Sequence, residues 1–295
     1  MTDVKSFIEA PPSKIRVAYN TRDLLLYAIG IGSTDPRYVY EKDPNFAAFP
    51  TYPICLTFKG DSPDVLSFPP PAMSAVRTPA LEGVKVGLDA EKIIEKINEL
   101  PTTATELILE GRLAGVHKRG SGALTENIYE LKDETGKIYY RIISAGFAVG
   151  AKNFKDAGVS FSRQIKAPKE EPKYVIETKI DEFNANIFRL SGDYNPLHVD
   201  PQAAKKGGFE TPIIHGLCSL GHTTRCVLDA VAGGDAKRFK SVRMRFASPV
   251  IPGQTLQVRI WPASATEVKF ETMVKETGKV CISNGMMELH PAGKL

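Results

Sequence analysis

A single loop of the sequence places an acid and an imidazole five residues apart, Asp193 and His198. The segment before it, 180–191, has apolar residues one helical turn apart and is predicted to be a helix. Gly192 ends this helix and Pro196 prevents its continuation, so the two groups fall on a tight irregular loop. An Asp and a His within reach of one water molecule can add or remove a proton, which is general acid–base chemistry.

The simplest interpretation of this loop is an Asx-turn, in which Asp193 and Asn195 bond to their own backbone and His198 is a surface residue. The full run is longer, however, and reads Ser-Gly-Asp-Tyr-Asn-Pro-Leu-His, followed by two alanines. This run resembles the signature of the MaoC-like hydratases, and more closely that of the hydratase 2 domains of peroxisomal multifunctional enzymes. The resemblance favours a catalytic loop over a simple turn.

Composition limits the protein to a few classes. With 295 residues, of which 42% are hydrophobic, the chain can bury a large core and is long enough for about two domains. A net charge of +4 is too small to indicate nucleic acid binding, and no run of 18 apolar residues predicts a membrane span. The four cysteines are scattered without a Cys-x-x-Cys pair, which favours free thiols in a reducing compartment.

Several other candidate residues are given structural roles. No group of carboxylates and histidines has the spacing of metal ligands, so we predict no metal and no cofactor. His117 is expected at the surface, His222 at the edge of the core, and Trp261 in the packing of the core. Lys205 and Lys206 can meet a phosphate, but a solvated turn is the favoured interpretation.

The sequence contains two halves whose landmarks recur in the same order. The segment 49–54 can be aligned with 209–213 at an offset of 160 residues at its first residue and 159 at its last. A Glu-Thr-Gly-Lys run that begins at Glu134 recurs at Glu276, an offset of 142 residues. The first half therefore carries roughly 17 extra residues, which we expect near the proline-rich loop 67–72.

The same alignment extends to the Asp/His loop at an offset of 160 residues. Ser33 then stands at the position of Asp193, and Tyr38 at that of His198, so the first half lacks both groups. We interpret this half as a duplicated fold that has lost its chemistry. It is either scaffold only or, in the favoured interpretation, a substrate-binding half, because a lost site leaves a groove for a long acyl chain.

A helix is predicted before each of the two aligned loops. The first covers residues 21–31. In the second, 180–191, the apolar residues Phe183, Ile187 and Leu190 share one face.

The rest of the second half is predicted to be one buried helix and an antiparallel meander. Thr211 is expected to cap a helix that runs to about residue 232. A short strand at 175–178 precedes the catalytic loop, and runs of alternating apolar residues follow the helix, separated by Pro-Gly and Thr-Gly turns. These runs are 242–246, 256–260, 268–274 and 280–282. A helix wrapped by such a sheet is a hot-dog fold, which the resemblance implies as well.

The whole chain is therefore predicted to be an α+β double hot dog. Each half is expected to have a long central helix wrapped by an antiparallel sheet, with the two sheets joined edge to edge. We expect an N-terminal half at 1–150, a charged, proline-bearing linker at 151–174 and a C-terminal catalytic half at 175–295.

The expected chemistry combines the Asp/His loop with the N-terminus of the second-half helix. Free backbone N–H groups and a partial positive charge lie there, and Gly216 has no side chain to block its amide. That amide can stabilise a thioester oxygen as it gains enolate charge. Asp193 and His198 can then share the activation of water and the protonation at C2, with the roles of acid and base left open. The reaction is hydration of a trans-2-enoyl-CoA, and the resemblance implies the (3R)-3-hydroxyacyl-CoA as product.

The resemblance also implies the residues that contact the acyl-CoA substrate. Arg119 stands where the family has a lysine, which keeps the charge and changes the geometry. Asp89 and Ala90 stand where a His-Gly pair is usual. The full set of implied contacts beside Asp193 and His198 is Tyr194, Asn195, Pro196, Leu197, Gly216, Phe246, Arg119, Asp89 and Ala90.

Two other functions remain possible from the sequence. One is a dehydratase of a fatty-acid synthesis cycle, which runs the same chemistry backwards, and the other is a non-catalytic acyl-CoA binding protein. The Asp193/His198 pair argues against the second, because binding alone requires neither group. No Gly-x-Gly-x-x-Gly unit is present, so no dehydrogenase activity is expected.

The resemblance and the last residues together predict a location. The sequence ends Gly293-Lys294-Leu295, which fits a peroxisomal address except at Gly293, where a Ser, Ala or Cys is usual. Cytoplasm and mitochondrion are the alternatives. The substrate is expected to be the main partner, and we expect a homodimer.

Overall fold

The computed structural model describes residues 2–293 and forms an α+β fold with a single large sheet. The helices are α1 (Lys5–Ile8), α2 (Thr21–Gly30), α3 (Pro36–Val39), α4 (Leu56–Lys59), α5 (Asn184–Phe188), α6 (Pro201–Lys206) and α7 (Gly216–Ala232). The strands are β1 (Ser13–Tyr19), β2 (Val86–Lys96), β3 (Ala104–Arg119), β4 (Gly122–Asp133), β5 (Ile138–Val149), β6 (Ala157–Gly158), β7 (Tyr174–Lys179), β8 (Phe239–Phe246), β9 (Thr255–Pro262), β10 (Glu267–Val274) and β11 (Lys279–Leu289).

The sheets of the two halves join edge to edge, as predicted. The strand order is β1-β3-β4-β5-β2-β8-β11-β10-β9-β7, and β6 pairs with β3. The junction is an antiparallel pairing of β2 with β8, from Glu91 opposite Arg245 to Glu95 opposite Ser241. One continuous hydrophobic core runs beneath both halves. The double hot-dog prediction is therefore confirmed.

The strands form because polar and apolar residues alternate along them. In β10, every second residue from Val268 to Val274 is buried, and β9 shows the same period from Leu256 to Ile260. Side chains two residues apart in a strand face the same side of the sheet, so the buried residues of β9 and β10 face α7. The two Glu-Thr-Gly-Lys runs lie at the turns between β4 and β5 and between β10 and β11, as predicted.

The central helices of the two halves are unequal, which corrects one prediction. In the second half α7 has 17 residues. In the first half the corresponding position holds a 3₁₀ turn, Tyr52–Cys55, and then only α4, which ends at Gly60 with φ of 60°. The expected long central helix is therefore absent from the described part of the first half. A glycine in this conformation ends a helix readily, and the proline-rich segment that follows cannot resume it.

The helix α7 begins later than expected, at Gly216 and not at the predicted cap Thr211. The N–H of Ile214 donates instead to the carbonyl oxygen of Val250, 2.8 Å away. This bond holds the preceding residues extended against the second-half sheet. The predicted end of the helix is confirmed, because α7 stops at Ala232 and Gly233 adopts the left-handed conformation.

The helix before the catalytic loop is shorter than predicted and buries a different face. It covers Asn184–Phe188, with a 3₁₀ turn at Arg189–Ser191. Ile180 belongs to the sheet edge, because its N–H and its carbonyl oxygen bond to Gln254 and Gly253. Phe183 is 72% exposed, whereas Phe188 is fully buried, so the predicted apolar face is wrong.

The segment between the halves crosses the outer face of the sheet. Residues 159–173 contain no helix or strand. Phe161 packs against a small apolar cluster on this face. The buried carboxylate of Glu126 accepts hydrogen bonds from the backbone N–H groups of Phe161 and Ser162. Within the part of the chain that the structure describes, no helix is long and apolar enough to cross a bilayer.

Candidate active site

The catalytic loop turns sharply and buries its two ionisable side chains. Gly192 has φ of 130°, a conformation that suits glycine and lets the chain leave the 3₁₀ turn. The N–H of Asn195 donates to Asp193 Oδ1 at 3.2 Å, and the N–H of Leu197 donates to Asn195 Oδ1 at 3.1 Å. The bonds expected of an Asx-turn are therefore present. Even so, Asp193 is only 9% exposed and His198 only 8%, so neither is a surface residue.

The hydrogen bond of His198 fixes which of its nitrogens is free. Its Nδ1 lies 2.8 Å from the carbonyl oxygen of Ile213. Because a carbonyl oxygen only accepts, Nδ1 carries the proton, and Nε2 of the neutral ring keeps a lone pair. Burial lowers the pKa of His198, which favours this neutral form. The side chain is thus prepared to accept a proton at Nε2.

The environment of Asp193 raises its affinity for a proton. Burial raises the pKa of its carboxyl to about 6, opposed by the hydrogen bond from Asn195. Asp89 raises this pKa further and Lys92 lowers it, so the residues at the start of β2 act on the site electrostatically. A carboxyl with such a pKa can take up and release a proton near neutral pH.

His215 is a site residue that the sequence analysis did not assign. Its ring stacks on that of His198, with centroids 3.8 Å apart and planes at 29°. Its Nε2 lies 3.1 Å from the backbone carbonyl oxygen of Asp193. The signal that could have found it is its place directly before Gly216. This side chain therefore joins the catalytic loop to the start of α7.

The three residues form a compact polar cluster whose geometry does not suit a metal ion. One nitrogen from His198, one from His215 and one carboxylate oxygen of Asp193 lie within 4.8 Å of one another. Imidazole lone pairs lie in the ring plane, so nearly parallel stacked rings direct them side by side and not towards one point. One nitrogen of each ring also faces a backbone carbonyl oxygen. The cluster is better suited to proton transfer than to metal binding.

The amide of Gly216 lies at the N-terminus of α7. No described residue accepts a hydrogen bond from it, since the first N–H groups of a helix have no partner within the helix. A β-carbon on Gly216 would lie 3.1 Å from the ring of Phe246. A residue larger than glycine at this position would therefore press against the ring of Phe246 at the start of α7.

Phe246, Ala90 and Asp89 come together at the seam of the two halves. Phe246 lies one residue beyond the last pair, Glu91 with Arg245, and the register places Ala90 beside it. The register of β2 shifts between Asp89 and Glu91, which is a bulge at Ala90. Phe246 therefore lies beside Gly216, and Asp89 is close enough to Asp193 to raise the pKa of its carboxyl.

The other implied contacts are distributed around the loop. Tyr194 is buried beneath the guanidinium of Arg189, 5.4 Å from its ring centroid, and Asn195 is half-buried. Pro196 is exposed and Leu197 is half-buried. Arg119 lies apart from them, exposed at the turn between β3 and β4, where its Nη2 donates to Ser160 Oγ at 3.3 Å.

The position of the lost pair in the first half is filled. Tyr38 is buried, its hydroxyl donates to the carbonyl oxygen of Gly234, and it accepts from the N–H of Ala236 at 2.9 Å. Ser33 is also buried. Tyr38 thus holds the chain just beyond the end of α7. The side chain at this position is therefore fixed by hydrogen bonds on both sides of the turn, and the groove expected for the acyl chain stays a prediction.

Two of the residues that received structural roles lie deeper than expected. His222 is only 1% exposed and lies in the core, not at its edge, with Nδ1 3.1 Å from Thr178 Oγ1. His117 is partly buried near Asp156 and is not a surface residue. Trp261 packs as expected and donates from Nε1 to the carbonyl oxygen of Glu170 at 2.8 Å. Lys205 and Lys206 are exposed at the end of α6.

Comparison with known proteins agrees with this architecture. Two family models match, the MFE-2 hydratase 2 N-terminal domain over residues 17–150 and the MaoC like domain over residues 163–285. The chain is 38% identical to the peroxisomal multifunctional enzyme type 2 of Drosophila melanogaster, covering 92% of this chain and 46% of that one. It is 30% identical to the probable enoyl-CoA hydratase 2 of Dictyostelium discoideum, covering 99% of this chain and 98% of that one.

A solved structure shows the same fold over the full length. The MaoC-like dehydratase of Phytophthora capsici superposes with a TM-score of 0.91 at 37% identity, covering 99% of this chain and 100% of that one. The chain spans about half the length of the fly multifunctional enzyme.

A double hot dog with an Asp/His loop beside the N-terminus of a buried helix defines the class of MaoC-like hydratases and dehydratases, which are hydro-lyases. The chain belongs to the enoyl-CoA hydratase 2 family within that class.

Proposed function

We propose that the protein hydrates trans-2-enoyl-CoA to (3R)-3-hydroxyacyl-CoA in peroxisomal β-oxidation. The observation that carries the proposal is the burial of Asp193 and His198 on one loop, together with the Gly216 amide at the N-terminus of α7, which has no acceptor among the described residues. Asp193 has a pKa of about 6 because it is buried, so above that pH its carboxylate can accept a hydrogen bond. His198 offers a second acceptor at Nε2. Together the two acceptors can hold both hydrogens of one water.

The proposed reaction balances without a cofactor. The thioester oxygen binds the Gly216 amide, which draws electron density from C3 of the enoyl chain. The oxygen of the held water then attacks C3, and one of its protons passes to the Asp193/His198 pair. The same pair returns a proton to C2 as the enolate collapses, so both groups regain their starting charge. The other water proton remains on the new hydroxyl.

Substitution of the pair tests the mechanism. We expect Asp193→Ala and His198→Ala each to lower hydration of 2-enoyl-CoA by about 10²–10⁴-fold while the fold is kept. Asp181→Ala, an exposed acid before α5, is the matched control and should retain full activity. Near-wild-type hydration by either site variant in a folded sample would refute the proposed mechanism.

A panel of substrates separates this function from its competitors. Crotonyl-CoA, decenoyl-CoA and a carrier-bound enoyl thioester would be assayed side by side, with chiral analysis of the product. Preference for the carrier-bound thioester would favour a dehydratase of fatty-acid synthesis. Tight acyl-CoA binding without turnover would favour a non-catalytic binding protein.

We further propose a division of labour between the halves, with 1–150 binding the acyl-CoA, 151–174 as the linker and 175–295 as the catalytic half. The support is the brevity of α4, because irregular chain takes the place of further turns of a central helix. We expect residues 1–150 to determine which acyl-chain lengths are accepted, and we expect Arg119 to contact the CoA moiety. A structure with decanoyl-CoA bound tests the idea, and a chain that lies wholly within 175–295 would contradict it.

The proposed location is the peroxisome and the proposed assembly is a homodimer. The address tail Lys294-Leu295 lies outside the described residues, so its support comes from the sequence and the family. A fluorescent protein that carries the last ten residues should collect with a peroxisomal marker, and diffuse signal from it and from the full chain would contradict the location. Sedimentation of the purified protein tests the dimer.

A further inference from the structure

His215 contacts both residues of the proposed acid–base pair and directly precedes the proposed oxyanion site. Its ring covers His198, its Nε2 faces the backbone of Asp193, and the next residue in the chain is Gly216. It is fully buried, and its other face meets the ring of Phe188, with centroids 5.1 Å apart. Few side chains can touch a general acid–base pair and an oxyanion site at once, so its role merits a specific hypothesis.

We propose that His215 is a positioning residue for the hydration reaction, a neutral imidazole protonated at Nε2 that fixes both the backbone of Asp193 and the ring of His198. The inference rests on the proposed function, because it assigns a role relative to the Asp193/His198 pair. His215 itself exchanges no proton with the substrate.

The hydrogen bond defines the protonation of the ring. The carbonyl oxygen of Asp193 only accepts, so Nε2 of His215 must carry a hydrogen. Its Nδ1 is buried, and no described residue forms a hydrogen bond with it. A nitrogen without access to water is a poor proton carrier, which separates the role of this ring from that of His198.

The surroundings of His215 keep it uncharged. Burial lowers its pKa well below the usual value, and His198 and the guanidinium of Arg189 lower it further. The carbonyl oxygen of Asp193 acts in the opposite direction. A second positive charge beside His198 is therefore excluded over the pH range in which the pair works, and the stack stays intact.

The two contacts act on different parts of the geometry. The bond to the Asp193 carbonyl oxygen ties the loop to the start of α7, and hence to the Gly216 amide. The stacked ring fixes the plane of His198, and with it the direction of the Nε2 lone pair. A displacement of about 1 Å in such groups can lower a rate by about 10²-fold. Removal of His215 should therefore act mainly on kcat.

Two variants separate the two contacts. His215→Phe keeps a ring against His198 and removes the donor to Asp193, whereas His215→Gln keeps a donor and removes the stack. We expect each to lower kcat by about 10- to 100-fold with a smaller change in KM. His222→Gln is the matched control, because His222 is similarly buried within α7, the helix that begins directly after His215, and forms no hydrogen bond or ring stack with the pair among the described residues. It should retain wild-type kcat.

A double-mutant cycle distinguishes positioning from a general structural role. In the His198→Ala background, His215→Gln, which removes the stack, should lower the residual rate by less than about twofold, because no ring remains to be positioned. Loss of the same factor in both backgrounds would overturn the proposal, and so would wild-type kcat in both single variants. A wild-type protein that hydrates no 2-enoyl-CoA would instead refute the proposed function.

A measurement on the unmodified protein makes the test independent of variant folding. In ¹⁵N-histidine-labelled protein, the resonances of His215 should report a neutral ring protonated at Nε2 from pH 5 to pH 8. A ring protonated at Nδ1, or one that titrates in this range, would overturn the proposal.

Discussion

Gly192 of the catalytic loop lies directly against Lys59, the last residue of α4 in the other half. A β-carbon on Gly192 would come within 2.8 Å of Lys59 Cβ and 3.0 Å of its backbone nitrogen. The arrangement is reciprocal, because a β-carbon on Gly32 would come within 2.8 Å of His222 in α7. Each aligned loop thus packs on the central helix of the opposite half, and the first half supports the catalytic loop even though it lacks the catalytic pair.

This contact makes Gly192 sensitive to substitution. We expect Gly192→Ala to lower the free energy of unfolding by about 1–3 kcal/mol, because an alanine is strained at this φ and also strikes Lys59. Activity should fall as well, since the adjacent Asp193 must move. Gly208→Ala is the control, with φ of 86° but no atom within 4 Å of the added carbon. Equal effects of the two substitutions on stability and rate would show that the contact is unimportant.

The rate should depend on pH through Asp193. Burial raises the pKa of this carboxyl to about 6, and the pair needs its carboxylate form to hold water. Burial lowers the pKa of His198, so this ring stays neutral over the same range. We therefore expect kcat/KM to be constant above about pH 7 and to fall about tenfold per pH unit well below pH 6. A pH–rate profile that is flat down to pH 5 would contradict this assignment.

The same carboxyl should lower stability at alkaline pH. Its pKa is raised in the folded protein, so the penalty is absent at low pH and appears as the pH rises through about 6. We expect Asp193→Asn to raise the free energy of unfolding by up to about 3 kcal/mol at pH 8 and by much less at pH 4. Urea unfolding of both proteins at pH 4 and pH 8 measures this change in the free energy of unfolding. Asp181→Asn, at an exposed site, serves as the control, and equal gains at both pH values would contradict the prediction.

The absence of a side chain at Gly216 should be essential for turnover. Gly216→Ala places a methyl group 3.1 Å from the ring, where the thioester oxygen must approach the amide. Loss of an oxyanion donor lowers rates by about 10²–10³-fold, so we expect kcat to fall towards that range. The second substitution Phe246→Leu removes part of the obstruction and should restore some of the rate. If the double variant is no better than Gly216→Ala, the steric explanation is wrong.

Local signals in the sequence predicted much of the fold. The alternation of polar and apolar residues in β9 and β10 predicts a sheet with only one face against the core, and the Pro-Gly and Thr-Gly turns predict its hairpins. The helix α2 begins at a capping box between Asn20 and Asp23, which depends only on residues three apart. These features can be predicted from the sequence because the interactions that produce them join near neighbours in the chain.

Contacts between residues far apart in the chain were harder to predict from the sequence. The apolar spacing of 180–191 favoured Phe183 as a core residue, but Phe188 fills that place because it faces Tyr27 and His215 from other elements. The late start of α7 depends on the bond from Ile214 to Val250, which lies beyond the helix. Periodicity alone does not specify which of two possible faces meets the core.

The sequence by itself determined that an acid and an imidazole share one loop, since glycine and proline at fixed spacing end the helix and bend the chain. It also determined that two similar halves are present. Only the tertiary structure decided that His215 stacks on His198, that Gly192 rests on Lys59 and that Phe246 closes the space above Gly216. Each of these contacts joins residues from different elements, and their distance is set by the register of the strands and the packing of α7, which no local pattern encodes.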